Sequence, residues 1–155
     1  MSVLYTIEKQ QRIPVQADKL WEFMSSPHNL SLITPSYMRF EMQGNIPSGH
    51  IYPGMIISYK LMPLPGIRMR WVTEITHVRE KEYFVDEQRF GPYAFWHHQH
   101  IIKPEGDHSL MDDIVNYRLP LGILGRAAHS IFVRKQLEQI FQYRFDALER
   151  IFGKA

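Results

Sequence analysis

The stretch Phe84-Val-Asp-Glu-Gln-Arg-Phe-Gly-Pro-Tyr-Ala-Phe-Trp-His-His-Gln-His-Ile-Ile102 decides how the chain is read. A strand turns alternate side chains to one face, so the return half places Trp96, His98, His100 and Ile102 together. The outgoing half places Phe84, Asp86 and Gln88 on a matching face, with Gly91-Pro92 as the turn between them. Two imidazoles, a carboxylate and an amide among large aromatics are an odd composition for an ordinary sheet face. Such a face is either wet or lines an enclosed site.

The same period of two runs outward in both directions. Upstream, Met69, Trp71, Thr73 and Ile75 alternate with Arg70, Val72 and Glu74, and Ile57, Tyr59 and Leu61 alternate with Ser58 and Lys60. A turn over 63–66 joins those two runs. Met38, Phe40 and Met42 alternate with Arg39, Glu41 and Gln43, followed by a long Gly- and Pro-containing connection over 44–54. Downstream, Glu105-Gly106-Asp107 turns the chain into a last strand over 110–119, with Met111, Asp113, Val115, Tyr117 and Leu119 on one face. A further strand is expected over 3–13, ending at Pro14.

Helical spacing appears in two places. Ala17, Leu20, Trp21 and Met24 recur as one helix face, stopped by Ser25-Ser26-Pro27. Ser26 is placed to cap a second short helix with Pro27 at its first position and Leu30 and Ile33 on its apolar side; Thr34-Pro35 ends it. From about 123 to 152 one long helix is expected, with Val133, Leu137, Ile140, Phe141, Leu148 and Ile151 as its apolar stripe. Arg144 falls in the middle of that stripe. The order is therefore strand, two short helices, six strands in meander, long helix, which is α+β.

Composition narrows the function. The 155 residues fit one domain over 1–155 with a full core, and the 13% of aromatic residues suits wide interior surfaces. Net charge is +2 with both signs interspersed, so no nucleic-acid footprint is expected. The absence of cysteine excludes disulfides, thiol catalysis, Fe–S ligation and cysteine-based zinc sites. No signal peptide or membrane span is read, giving a cytoplasmic protein as the expectation. No serine sits in a nucleophile elbow, and there is no Gly-rich phosphate loop.

His98 and His100 are spaced so that both imidazoles can reach one metal, with Asp86 or Asp113 as a carboxylate ligand. The HxH pattern is short and no further ligand motif supports it, so no metal and no cofactor are assigned. The plainer reading is two neutral histidines bonded to sheet neighbours, with Asp113 or Tyr117 as partner. His97 points to the other face. Asp86 and Asp113 gain meaning through these partners, and a bulge near Phe90-Gly91 would turn Glu87 inward instead of Asp86. Arg144 cannot lose its charge and must be paired, to Asp113, Asp86 or Glu87, or must meet a ligand's polar group. Phe40, Tyr59, Trp71, Phe84, Trp96 and Tyr117 are assigned to the core face. Trp71, Trp96 and Tyr117 carry polar handles suited to a mixed cavity wall. Leu119-Pro-Leu-Gly-Ile-Leu-Gly125 is either a strand-to-helix joint or an apolar portal hinged at Gly122 and Gly125.

Taken together, Ser26-Pro27-His28-Asn29-Leu30 with Thr34-Pro35, Phe84-Val-Asp-Glu-Gln88, Gly91-Pro92-Tyr93, Trp96-His97-His98-Gln99-His100, Tyr117-Arg-Leu-Pro-Leu-Gly122 and Tyr143-Arg144 resemble the START-like (SRPBCC, Bet v 1-like) superfamily, in particular its bacterial ligand-binding, polyketide-cyclase-like branch. The resemblance implies a helix-grip fold: a curved seven-stranded antiparallel sheet around a long C-terminal helix, with two short helices between strands 1 and 2 and a hydrophobic cavity between sheet and helix. The expectation that follows is a binding module for a small, largely hydrophobic ligand (lipid, quinone or polyketide-like). Trp71, Asp86, Gln88, Trp96, His98, His100, Asp113, Tyr117 and Arg144 are its candidate binding residues. Two alternatives stand beside it: a cyclase or dehydratase using a cavity His–Asp pair, and a cochaperone-like interaction protein with an exposed apolar patch. Homodimerisation is left open.

Overall fold

The computed structural model describes residues 3–64 and 66–155. Met1 and Ser2, ahead of the first strand, and Pro65, in the expected turn over 63–66, lie outside the described residues. Seven strands follow the expected order: β1 (Tyr5–Ile13), β2 (Glu41–Gln43), β3 (Ile56–Leu64), β4 (Ile67–Arg79), β5 (Tyr83–Phe90), β6 (Phe95–Glu105) and β7 (His108–Arg118). They form one sheet in the order β1-β7-β6-β5-β4-β3-β2, and every neighbouring pair is antiparallel. The first strand closes against the last, so the sequence-distant segments Tyr5–Ile13 and His108–Arg118 pair along nine residues of β1.

Alternation is clearest in β6 and β7, where every second residue from Trp96 to Ile102 and from Ser109 to Tyr117 is buried. That face is concave. Register shifts between Leu61 and Leu64, at Val72/Thr73 and at Ile75/His77 bend the sheet, since an extra residue on one strand sharpens twist and curl. The extra residues lie in β3, at Thr76 of β4 and at Arg89 of β5, so a bulge does stand beside Phe90. It falls beyond Asp86, which keeps the inward face, and Glu87 lies outside against Arg89.

Helix α1 (Ala17–Met24) buries Leu20, Trp21 and Met24, and Asp18 in its first turn complements the dipole. The second short helix is a 3-10 helix, Pro27–Ile33, with Pro27 at its start; Ser26 occupies the capping position without a side-chain bond to the helix. The expected strand from Met38 is shorter than read. Ser36–Met38 is a 3-10 turn ended by Arg39 in the left-handed region, so pairing begins only at Glu41. The C-terminal helical segment has a break that periodicity did not reveal. Helix α2 (Gly122–Ala128) runs through a π turn, His129–Val133, into α3 (Arg134–Phe152). Helix α3 lays Leu137, Phe141, Arg144, Ala147 and Leu148 into the concave face. Ile151, assigned to that stripe by spacing, is 43% exposed because the helix runs past the edge of the core there.

The core has two parts. One joins α1, the 3-10 helix and the C-terminal end of α3 through Leu20, Trp21, Ile75, Phe84 and Leu148. The other gathers Trp71, Trp96, Val115, Tyr117, Leu137 and Phe141 beneath the first half of α3. The helix does not fill the curve of the sheet between them, and a cavity results.

Candidate functional site

The cavity has a volume of about 450 Å³ and is walled by the concave face of β3–β6, the 3-10 helix, α2 and α3. Its lining is mostly apolar, with Trp71, Trp96, Tyr59, Tyr93, Phe40 and Phe141 as large aromatic surfaces. Two of the polar handles are already used within the wall: Trp71 Nε1 donates to Thr73 Oγ1 at 3.0 Å, and the Tyr59 hydroxyl is 3.4 Å from the same oxygen. Burial pushes the phenols of Tyr59 and Tyr93 well above their ordinary value, so both remain neutral.

At the inner end the sheet places a polar cluster. Register pairs Asp86 with His98 across β5–β6 and His100 with Asp113 across β6–β7, so four functional groups from three adjacent strands converge. His98 Nε2 lies 2.9 Å from Asp113 Oδ1, and His100 Nδ1 lies 3.1 Å from the same oxygen. On the other side, His100 Nε2 is 2.6 Å and His98 Nδ1 3.5 Å from Asp86 Oδ2. Arg144 descends from α3 and brings Nη2 to 3.2 Å from Asp113 Oδ1 and 3.0 Å from His100 Nδ1. Of the three partners the sequence left open for this guanidinium, the structure gives it Asp113.

Aromatic packing fixes the rings. Phe84 stacks on His100 with centroids 4.0 Å apart, and Trp96 and Phe141 each meet His98 edge to face. Electrostatics follow from this burial. Desolvation is the largest influence on His98; with the neighbouring His100 it outweighs the two carboxylates and brings the imidazole down to about 4, so His98 is neutral near pH 7. Burial pushes the Asp86 carboxyl up, but the charges of His98, His100 and Arg144 and the His100 hydrogen bond outweigh it and leave the group below its ordinary value. For Asp113 burial is again overcome, first by the Arg144 guanidinium and then by hydrogen bonds from both histidines, leaving it well below the carboxylate range. Arg144 Nε is buried and has no hydrogen-bond partner among the described residues.

The nine candidate residues divide into three groups. Trp71, Asp86, Trp96, His98, His100 and Arg144 line the cavity. Asp113 stands behind the histidines and instead lines a smaller cleft of about 180 Å³ between β1 and α3, beside Lys9, Gln11, Gln142 and Arg144. Gln88 and Tyr117 line neither. Gln88 clamps the hairpin turn, bonding both the Tyr93 carbonyl (2.6 Å) and the Tyr93 N–H (3.1 Å). Tyr117 is 1% exposed and packs with Tyr5, Tyr93 and Trp96 in the core. His97, on the outer face as read, stacks against Phe95.

Sequence reasoning missed Thr73, Tyr93 and Phe141. Thr73 carried a signal, since it shares the period of Trp71 and Ile75 and is 4% exposed. Tyr93 carried none, because its position depends on how the turn after Gly91-Pro92 folds back over the cavity. At the opposite end from the cluster, Leu119, Pro120, Leu121, Leu124 and Gly125 form the mouth. Leu121, Ile123 and Leu124 are 76, 74 and 72% exposed. Gly125 is pressed against the chain ahead of it: a Cβ there would lie 2.1 Å from the Pro120 carbonyl oxygen.

No family model matches the sequence, and a comparison with curated proteins finds no match. Solved structures do match along nearly the whole chain. Ginseng major latex-like protein 151 from Panax ginseng aligns with a TM-score of 0.70 at 13% identity, covering 97% of this chain and 98% of that one. A protein from Thermus thermophilus aligns at 0.67 with 14% identity, covering 94% and 95%. Norcoclaurine synthase from Thalictrum flavum, solved with dopamine and hydroxybenzaldehyde, aligns at 0.67 with 15% identity, covering 97% and 87%. The chain has the helix-grip fold of Bet v 1-like proteins. No helix among the described residues is long and apolar enough to cross a membrane.

Proposed function

We propose that this protein binds a small, largely apolar ligand in the cavity between sheet and α3, with the ligand's polar group held at the Asp86–His98–His100–Arg144 end. The observation that carries this reading is the cavity itself. Its 450 Å³ falls within the range of about 300–1,000 Å³ typical of small-molecule sites, and its charged and imidazole groups converge in one cluster on a mostly apolar wall. A core without a binding role would gain from closing such a space, since apolar walls without partners forfeit packing contacts.

The chemistry of the inner end limits the polar group. Arg144 Nε is a buried donor in need of an acceptor. His98 Nδ1 is an acceptor, because the ring is neutral and its Nε2–H is committed to Asp113. A hydroxyl or phenol, which both donates and accepts, meets both demands. Leu121, Ile123 and Leu124 at the mouth would offer the ligand's apolar part a first contact.

One observation favours turnover as a second reading: His98 faces the cavity with Asp113 behind it, the arrangement of an oriented general base. Binding is preferred, since a histidine titrating near 4 is a weak base at neutral pH. Thermal-shift titration with fatty acids, quinones and polyphenols tests the proposal. At least one phenolic or hydroxylated class is expected to raise Tm. Ile140→Trp, which fills the cavity from α3, should abolish the shift. Indifference of the wild-type protein to all three classes would refute it.

A further inference from the structure

We propose that Asp86, His98 and His100 form a binding site for a divalent transition-metal ion, best suited to zinc, and that Asp113 holds both imidazoles in the ligating orientation. Asp86 Oδ2 is 3.5 Å from His98 Nδ1 and 2.6 Å from His100 Nε2, and one ligand atom from each residue lies within 4.8 Å of the others. Ligands about 2.0–2.2 Å from a shared tetrahedral zinc stand roughly 3.3 Å apart. His98 and Asp86 already have that spacing, and His100 and Asp86 reach it by separating less than an ångström.

The far side of both rings is the second, independent observation. His98 Nε2 and His100 Nδ1 both face the same oxygen, Asp113 Oδ1, at 2.9 and 3.1 Å. A carboxylate accepts hydrogen bonds, so it favours in each ring the tautomer that carries its proton on the Asp113 side. The lone pairs of His98 Nδ1 and His100 Nε2 are then both turned to Asp86. A carboxylate behind each ligating imidazole is the outer-shell arrangement that fixes ring orientation and raises ligand basicity at metal sites. Here one aspartate serves two histidines.

Charge points the same way. Arg144 Nη2, 3.2 Å from Asp113, balances that carboxylate and leaves the negative charge of Asp86 to be met by something else. Without an ion, His100 can place its proton on Nε2 toward Asp86 and accept from Arg144 at Nδ1. On metal binding that proton moves to Nδ1 and Asp113, and the ring charge is unchanged. Two imidazoles and one carboxylate without thiolate suit Zn²⁺, Fe²⁺ or Co²⁺ over Mg²⁺ or Ca²⁺. All three ligands line the cavity and Asp113 does not, so the open coordination position would face the organic ligand.

This inference rests on the cavity reading only for what fills that open position, so the test uses ions alone. The full chain, purified without chelator and analysed for metals, then stripped, is titrated with Zn²⁺ by calorimetry and with Co²⁺ by visible absorption. One ion per chain is expected at submicromolar zinc affinity, with the intense d–d band of a low-coordinate cobalt site. Asp86→Asn should abolish it, and Asp113→Asn should weaken it by about 10- to 100-fold at the same stoichiometry. Absence of saturable binding to folded wild-type protein at micromolar Zn²⁺ and Co²⁺ would overturn the site, whatever the variants do. Binding unchanged in folded Asp86→Asn would place the ion on other histidines and overturn it equally, and unchanged affinity in Asp113→Asn would remove the orienting role. Ligand shifts measured in chelator report separately on the binding reading.

Discussion

The two ends of the cavity are built in opposite ways. The inner end sits on the three adjacent strands β5, β6 and β7, where register alone brings the groups of Asp86, His98, His100 and Asp113 together. His98, His100, Asp113 and Arg144 are all buried, and three nitrogens from two elements crowd one Asp113 oxygen. The mouth is a junction between β7 and α2 with exposed leucine and isoleucine side chains, left-handed backbone at Leu121 and Gly122, and a π turn shortly after. One end is held by many mutually dependent contacts and the other by few. The inner end can fix the orientation of a polar group, and the mouth can open locally without unfolding the sheet.

The contrast is tested hardest by removing its centre. Asp113→Leu leaves the Arg144 guanidinium buried and unpaired, which costs about 3–5 kcal/mol. In a domain of this size that lowers Tm by roughly 10 °C or more in thermal unfolding followed by circular dichroism. Ile123→Ser at the mouth is the control, with a change within about 0.5 kcal/mol. Equal effects would mean that the two ends do not differ in this way.

Acid should act through the inner end. His98 titrates near 4 in the folded protein and at its ordinary 6.5 when unfolded, so between those values the unfolded chain takes up a proton that the folded one refuses. Stability of the metal-free protein is therefore complete above 6.5 and falls as pH drops toward 4, by on the order of 3 kcal/mol. Asp86 and Asp113, both held below their ordinary value, add to the loss as pH falls further. Urea unfolding across this range should show the midpoint dropping, with a shallower slope for His98→Gln. A slope that His98→Gln leaves unchanged would assign acid sensitivity elsewhere.

A smaller effect is expected at the mouth. Gly125→Ala places a Cβ 2.1 Å from the Pro120 carbonyl oxygen and 3.2 Å from Leu119 Cβ, so α2 must move away from the end of β7. Overpacking of this kind costs about 1–3 kcal/mol, reduced by the better helix propensity of alanine. The displaced helix widens the mouth, so association and dissociation of a fluorescent apolar probe should both quicken while its Kd changes little. A large change in Kd at unaltered rates would instead assign Gly125 to the binding surface.

Much of this was legible from period alone. Trp96, His98 and His100 on one face of β6, and Met111, Asp113, Val115 and Tyr117 on one face of β7, are what strand geometry requires of those residues. Arg144 at the centre of the α3 stripe was legible for the same reason. What period cannot supply is the register between strands. That Asp86 faces His98 and His100 faces Asp113 depends on turn lengths and bulges summed across three strands, so the sharing of one Asp113 oxygen by two histidines was out of reach. Gln88 shares its face with Asp86, but the Tyr93 backbone occupies its amide at the turn. Tyr117 sits under the pairing of β1 with β7, and that closure of the chain's first strand on its last fills the space a ligand would need. The π turn in the C-terminal helical segment is equally hidden, since the apolar stripe read from the sequence begins only at Val133, its last residue.

The claim that the space under α3 is a ligand site is most directly tested by native mass spectrometry of gently purified wild-type protein beside Ile140→Trp. The account predicts a one-to-one adduct of a small apolar molecule on the wild type, released on mild activation and absent from the filled variant. Bare wild-type protein that also takes up none of the fatty acids, quinones or polyphenols added to it would contradict the account.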